Sequence, residues 1–204
     1  MNLGQMILVV GAIVLLGILV LNANSTVYQA SDTMYTSEFG VTAVSLATSL
    51  VEEAEGKMFD VIVAPKNGAD LYDSTLLTPV GSLGPELTTE HESYRHLVPG
   101  YPNDFDDFDD FNGLKLCYHD TTETDATAGF LQITVPGMRA KYYVTCTVVY
   151  VKPPNLDVPY IVRQTWHKKI SVTVWSPSAV KLDPATGQTV ADTLVYPAIM
   201  SYWN

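Results

Sequence analysis

The residues best suited to chemistry lie in one short run, Asp104-Phe-Asp-Asp-Phe-Asp-Asp-Phe-Asn-Gly113, which puts five aspartates into seven consecutive positions. Carboxylates this close repel one another unless a cation or hydrogen-bond donors neutralise them, and an all-oxygen ligand set suits Ca²⁺. Asp104, Asp106, Asp107, Asp109 and Asp110 are therefore the candidate calcium ligands. The spacing is not that of an EF-hand loop, which alternates its acids and ends on a Glu. The competing reading is a solvated acidic loop pinned down by Phe105, Phe108 and Phe111, which recur at every third position.

Other reactive side chains are sparse. Cys117 and Cys146 are the only two cysteines and fall in no C-x-x-C or Cys/His pattern. In an oxidising compartment they would form one disulfide; otherwise they are two buried thiols acting as small apolar residues. His91, His96, His119 and His167 are scattered, with His91 and His96 in a polar stretch that reads as exposed. No G-x-S-x-G, H-E-x-x-H or phosphate-binding glycine loop is present, so an enzyme is not expected. Without a C-x-x-C-H motif, covalent haem is not expected either. Asn24-Ser-Thr26 matches the N-glycosylation pattern.

The elements that must carry these residues divide sharply along the chain. No charged residue precedes Asp32, and the first base is Lys57. From Met6 to Leu21 the sequence is apolar or glycine throughout. A helix from Met1 to Leu21 would be roughly 30 Å long, enough to span a bilayer's hydrocarbon core. A cleaved signal peptide would need a basic start, which is missing, and small residues at the cleavage site, which the Leu-Asn-Ala ending at Ala23 matches poorly. A plain anchor would carry flanking Lys or Arg. Instead, after a polar stretch from Asn22 to Ser37, Phe39, Ala43, Leu46, Ala47, Leu50, Val51 and Ala54 recur at helical spacing. Gly56 is a plausible stop, and the Ser and Thr residues from Ser25 to Ser37 favour local unwinding or a bend.

A helix wholly apolar at its start and one-sidedly apolar at its end resembles the N-terminal helix of type IV pilins and pseudopilins. Val44-Ser-Leu-Ala-Thr-Ser-Leu-Val-Glu-Glu53 looks like the small-and-leucine pattern with which such helices dock on their sheet. The resemblance implies a first half that packs against other subunits in a filament and a second half that packs on the subunit's own sheet. It also implies partners: copies of the chain itself, and, before polymerisation, the inner membrane and a pilus assembly machine. Met1, Gly4, Gln5, Leu8, Gly11, Ile13, Leu16, Gly17 and Leu19 would then be assembly residues. Two features depart from the family pattern. Gln5 stands where the family has Glu, and no charged leader is visible ahead of Met1, which is either a processed end or the translation start. Gln5 would accept a hydrogen bond from a neighbour's N-terminal amine or cap its own helix.

Beyond Gly56 turn residues and short β-like runs take over. Met58 to Ala64 reads as a first extended segment, residues 65–128 as a long loop, and Phe130–Val135, Lys141–Val151, Tyr160–Ser176 and Thr193–Tyr202 as strands. The expected organisation is a helix over 1–56, with an apolar half at 1–23 and an amphipathic half at 24–56, followed by a β-rich domain over 57–204. About four antiparallel strands would cover the amphipathic half, giving an α+β fold. The net charge of -11 argues against nucleic acid as partner. The expectation is a structural subunit of an extracellular helical filament at the cell surface, with a membrane-embedded precursor. The alternative is a single-pass anchored β domain that binds a glycan or protein, for which Tyr202 and Trp203 are candidate contacts.

Overall fold

The sequence before Lys57 offers no proline and no run of β-branched residues long enough to break a helix, and none breaks. In this computed structural model, which describes residues 2–63, 73–85, 105–120, 129–183 and 185–202, α1 (Leu3–Glu55) is one helix of 53 residues. The expected unwinding between Ser25 and Ser37 does not occur. Hydroxyls there donate back to carbonyls four residues earlier, Thr26 to Asn22 at 2.9 Å, Thr33 to Gln29 at 2.9 Å, Thr36 to Asp32 at 3.0 Å and Ser37 to Thr33 at 2.8 Å. Each hydroxyl is thus satisfied inside the helix instead of competing with it.

The chain forms two compact units, Met1–Val41 and Thr42–Asn204, so the division falls before the helix ends. The described part of the first unit is helical, and from Asn2 to Ser37 every side chain is exposed. In the second unit the helical residues Ala43, Ala47, Leu50, Val51 and Ala54 are buried and Leu46 is half-buried, as the three-and-four spacing predicts. Phe39 is buried as well.

Among the described residues the sheet of the second unit has six strands: β1 (Lys115–His119), β2 (Leu131–Thr134), β3 (Tyr142–Lys152), β4 (Asn155–Pro159), β5 (His167–Leu182) and β6 (Thr189–Ser201). Their order is β2-β1-β3-β5-β6, with β4 paired to the end of β3. β1 and β2 are parallel; every other pairing is antiparallel. Register sets which side chains share a face: Val144 opposes Val174, Cys146 opposes Val172, Val148 opposes Ile170, and Tyr150 opposes Lys168. All eight are buried. The other face carries an aromatic cluster, with Tyr143 stacked on Trp175 at 5.6 Å and Phe130 edge-on to Tyr143 at 5.2 Å. The α+β architecture is as expected, but the sheet is larger and less simple than a four-stranded meander.

Three expectations are corrected. Met58 makes a single bridge to Asp107, and Val61–Val63 is a 3-10 turn, so Met58 to Val63 is not a strand, while Ala64 lies outside the described residues. The Asp60 and Asp107 carboxylates capture the N–H groups of Ile62 and Val61 and hold that turn. The supposed loop over 65–128 contains β1. Finally, Tyr160–Ser176 is extended only from His167, while Asn155–Pro159 forms the missed β4.

Candidate functional site

The Asp-rich run folds back into the protein. Phe105, Phe108 and Phe111 are buried, with Phe105 and Phe111 edge-on at 4.9 Å, as the every-third-residue pattern requires. The acids do not stay in solvent, however: Asp107, Asp109 and Asp110 are buried too. Asn112 locks the segment to the sheet. Its amide donates to the Leu83 carbonyl at 3.0 Å, and its Oδ1 accepts from Val148 N–H at 2.9 Å on β3. Gly113 follows with a φ of 82°, a left-handed conformation that few other residues adopt.

Backbone donors neutralise much of the acidic charge. Asp107 Oδ1 accepts from the N–H groups of Asp109 at 2.8 Å and Asp110 at 3.2 Å, and its Oδ2 accepts from Val61 N–H at 2.7 Å. Asp110 Oδ2 accepts from Asp106 N–H at 2.8 Å and Asp107 N–H at 3.2 Å. Met58 is stitched to the same run, accepting from Phe108 N–H at 2.8 Å.

The remaining counter-charge is Lys168, a residue that sequence reasoning missed together with Asp60. Lys168 lies on β5 opposite Tyr150 on one side and Met200 on the other. Its Nζ donates to the Phe59 carbonyl at 2.7 Å, to Asp60 Oδ2 at 2.9 Å and to Asp109 Oδ1, with which it is in close contact. These three acceptors use all three ammonium protons. Its charge also lies 4.7 Å from the centre of the Phe59 ring and 5.5 Å from that of Tyr150. Asp60 Oδ2 further accepts from Thr78 N–H at 3.0 Å, and the Tyr150 hydroxyl donates to the Thr78 carbonyl at 2.8 Å. Three segments far apart in sequence, the residues just after the helix, the Asp-rich turn and a central strand, thus meet at one ammonium group.

Desolvation dominates the electrostatics here. Burial raises the Asp109 carboxyl above its ordinary value, against the pull of Lys168, and raises Asp110 to about 6, against two backbone hydrogen bonds. Burial also pushes the Tyr150 phenol up, reinforced by the nearby aspartates. Asp109 Oδ2 and Asp110 Oδ1 are buried with no hydrogen-bond partner. A signal for Lys168 did exist in the sequence: the inward alternation of Val174, Val172 and Ile170 reaches Lys168 when carried back one further step.

Of the five candidate calcium ligands, Asp104 lies outside the described residues. Among the described residues no group of three or more His, Cys, Asp or Glu side chains is disposed to hold a metal ion. Cys117 and Cys146 are both buried thiols, not the expected disulfide. Cys117 pairs with Tyr143, whereas Cys146 shares the face of Val144, itself opposite Leu116. The pleat therefore aims the two sulfurs at opposite faces of the sheet, where no disulfide geometry is reachable. Burial pushes the Cys146 thiol up to about 12. His91, His96 and Trp203 lie outside the described residues, and Tyr202 is half-buried, stacked on Trp166 at 5.6 Å.

The candidate assembly residues form the second feature. Leu8, Ile13, Leu16 and Leu19 are all exposed, and a Cβ added at Gly4, Gly11 or Gly17 would meet nothing within 4 Å. Gln5 Oε1 accepts from Asn2 N–H at 3.4 Å, while Gln5 N–H donates to the Asn2 carbonyl at 2.9 Å, so Gln5 caps its own helix start. Met1 lies outside the described residues. By length and composition α1 can cross a membrane, consistent with an anchor, and the helix on an antiparallel sheet is compatible with a pilin-like fold. No family model, curated protein or solved structure matches this chain.

Proposed function

We propose that this protein is a structural subunit of an extracellular helical filament, of the type IV pilin kind, that polymerises through the apolar half of α1. The observation that carries the reading is the complete exposure of an apolar surface: between Leu3 and Leu21 every residue is open to solvent, and nearly every one is apolar or glycine. A chain in water does not leave such a surface bare; a bilayer or other protein covers it. Burying these side chains at about 1 to 2 kcal/mol each would outweigh any single polar contact.

Copies of the same helix are the covering partner that completes the reading. Gly4, Gly11 and Gly17 leave room for neighbouring backbones to approach closely. A head-to-tail contact that does not close on itself generates an open filament, and the subunit then needs no catalytic activity. Before assembly the same helix would sit in the inner membrane, where an assembly machine of the pilus type would take it up. The acidic domain would face solvent on the filament exterior, and its net charge of -11 disfavours nucleic acid as a partner.

Sedimentation of the native protein without detergent tests the proposal. A filament pellets in that condition. A chain that stays with detergent-extracted membranes as a monomer would instead be an anchored β domain, with Tyr202 in a candidate ligand surface.

A further inference from the structure

The geometry of the buried centre points to a covalent bond: an intramolecular amide between Lys168 Nζ and Asp109 Cγ, formed without any other enzyme and with Asp60 as the proton carrier. This inference stands apart from the filament reading, because it rests only on the interior of the unit Thr42–Asn204.

Four observations converge on it. First, the amine of Lys168 and the carboxyl of Asp109 are in contact, and neither side chain has any surface open to solvent. Two reacting groups held together in a closed site face a far smaller entropic barrier than two free in solution. Second, a separate carboxylate touches the same amine: Asp60 Oδ2 lies 2.9 Å from Lys168 Nζ and is equally enclosed. Such a group can take a proton from the nitrogen and return it to a departing oxygen. Third, Asp109 Oδ2 is buried without a hydrogen-bond partner, an expensive arrangement for a carboxylate but a milder one for an amide carbonyl. Fourth, the rings of Phe59 and Tyr150 flank the nitrogen and keep water from reversing the reaction.

The step balances without an added reagent. Asp60 accepts one proton from the Lys168 ammonium, and the resulting amine attacks Asp109 Cγ. The nitrogen then gives up a second proton, Asp60 returns the first, and both leave on Asp109 Oδ1 as one water. The new C–N bond replaces the C–O bond, nothing is oxidised or reduced, and Asp60 ends as the carboxylate it began. Burial disfavours the charge on the Asp109 carboxyl, and the condensation removes that charge. Condensation also replaces two buried charges with a neutral amide, which removes the desolvation penalty of that pair. The product would tie the central strand β5 to the Asp-rich turn 59 residues away in sequence. That link would keep the intervening strands, β1 to β4, from being pulled out of the sheet.

Mass spectrometry of the full chain, purified in detergent and then digested with trypsin, tests the bond. The expected result is a branched peptide joining the segment of Asp109 to that of Lys168, lighter than the two linear peptides by one water, with no cleavage after Lys168. Asp109→Asn should give the same branched peptide with loss of ammonia instead of water, and Asp60→Asn should leave most chains unlinked. Lys168→Arg should give linear peptides only. Recovery of Lys168 and Asp109 in separate linear peptides from the folded wild-type chain would overturn the assignment, whether or not any variant folds.

Discussion

The ammonium of Lys168 lies 2.9 Å from Oδ2 of Asp60, and neither side chain has any surface open to solvent. This pair connects the residues just after α1 to the middle of the sheet. Its electrostatics are demanding, because Asp107, Asp109 and Asp110 are buried in the same centre. Buried ions need every partner they have, and removing one partner is costlier than never having built the pair. Lys168→Met should destabilise the folded chain by about 3 to 5 kcal/mol, because it leaves Asp60 and Asp109 buried without the nitrogen that both contact. Chemical denaturation of the full chain in detergent measures this; a cost below about 1 kcal/mol would mean the centre is not what holds these segments together.

Asp110 gives the fold a pH dependence of definite sign. Its folded value of about 6 lies above the ordinary 3.8, so the folded state binds this proton more tightly than the unfolded state. The stability it contributes is fully present below about pH 4 and is lost as pH rises through about 6. Asp110→Asn keeps an oxygen for the two backbone donors and cannot ionise. The variant should therefore gain on wild type between pH 4 and pH 7, by about 1 to 2 kcal/mol after allowance for solvent screening. Parallel thermal melts across that range would show the gap widening with pH. A constant gap would remove Asp110 as its source.

The two cysteines provide a chemical readout of the sheet register. Denatured without reductant, the protein should take up two equivalents of an alkylating reagent, because Cys117 and Cys146 lie on opposite faces. In the folded state Cys146 should resist alkylation, being buried and held far from its thiolate form. A mass two hydrogens lighter, with no uptake, would contradict the register of β1 on β3.

The helix was the most legible part of the sequence, since a charge-free apolar start long enough to span a bilayer is followed, after a polar stretch, by apolar residues at helical spacing, Ala43, Ala47, Leu50 and Ala54. The strands with strong Val, Ile and Tyr content, β3 and β6, were legible for the same reason. Less legible was β1, Lys115–His119, which is short and begins on a charged residue. It becomes a strand because Leu116 fits opposite Val144, a fact of tertiary pairing and not of local propensity. The Asp-rich run announced itself as a site but not its partner. Repulsion among its acids demanded a counter-charge, and composition pointed to a metal ion. Lys168 was hidden because a lysine beside a second lysine in a half-polar strand reads as surface; only the inward parity set by Ile170 and Val172 marks it as buried.

Substitutions in the two units should separate folding from assembly. Leu50→Ala removes a side chain that is 3% exposed and should cost about 2 to 5 kcal/mol of stability in the β unit. Gly11→Leu adds bulk where a Cβ meets nothing in the single chain, so it should leave stability unchanged while reducing fibre yield severalfold by keeping neighbouring helices apart. Equal fibre yield from Gly11→Leu and wild type would argue against close helix packing in the assembly.

Electron microscopy of material sheared from cells producing the protein, with mass spectrometry of the N-terminus on the same sample, tests the filament account most directly. The account predicts thin uniform fibres composed of this chain, with the N-terminal mass reporting whether Met1 is processed and methylated. Absence of fibres, with the chain found only as a monomer in detergent-extracted membranes, would contradict it.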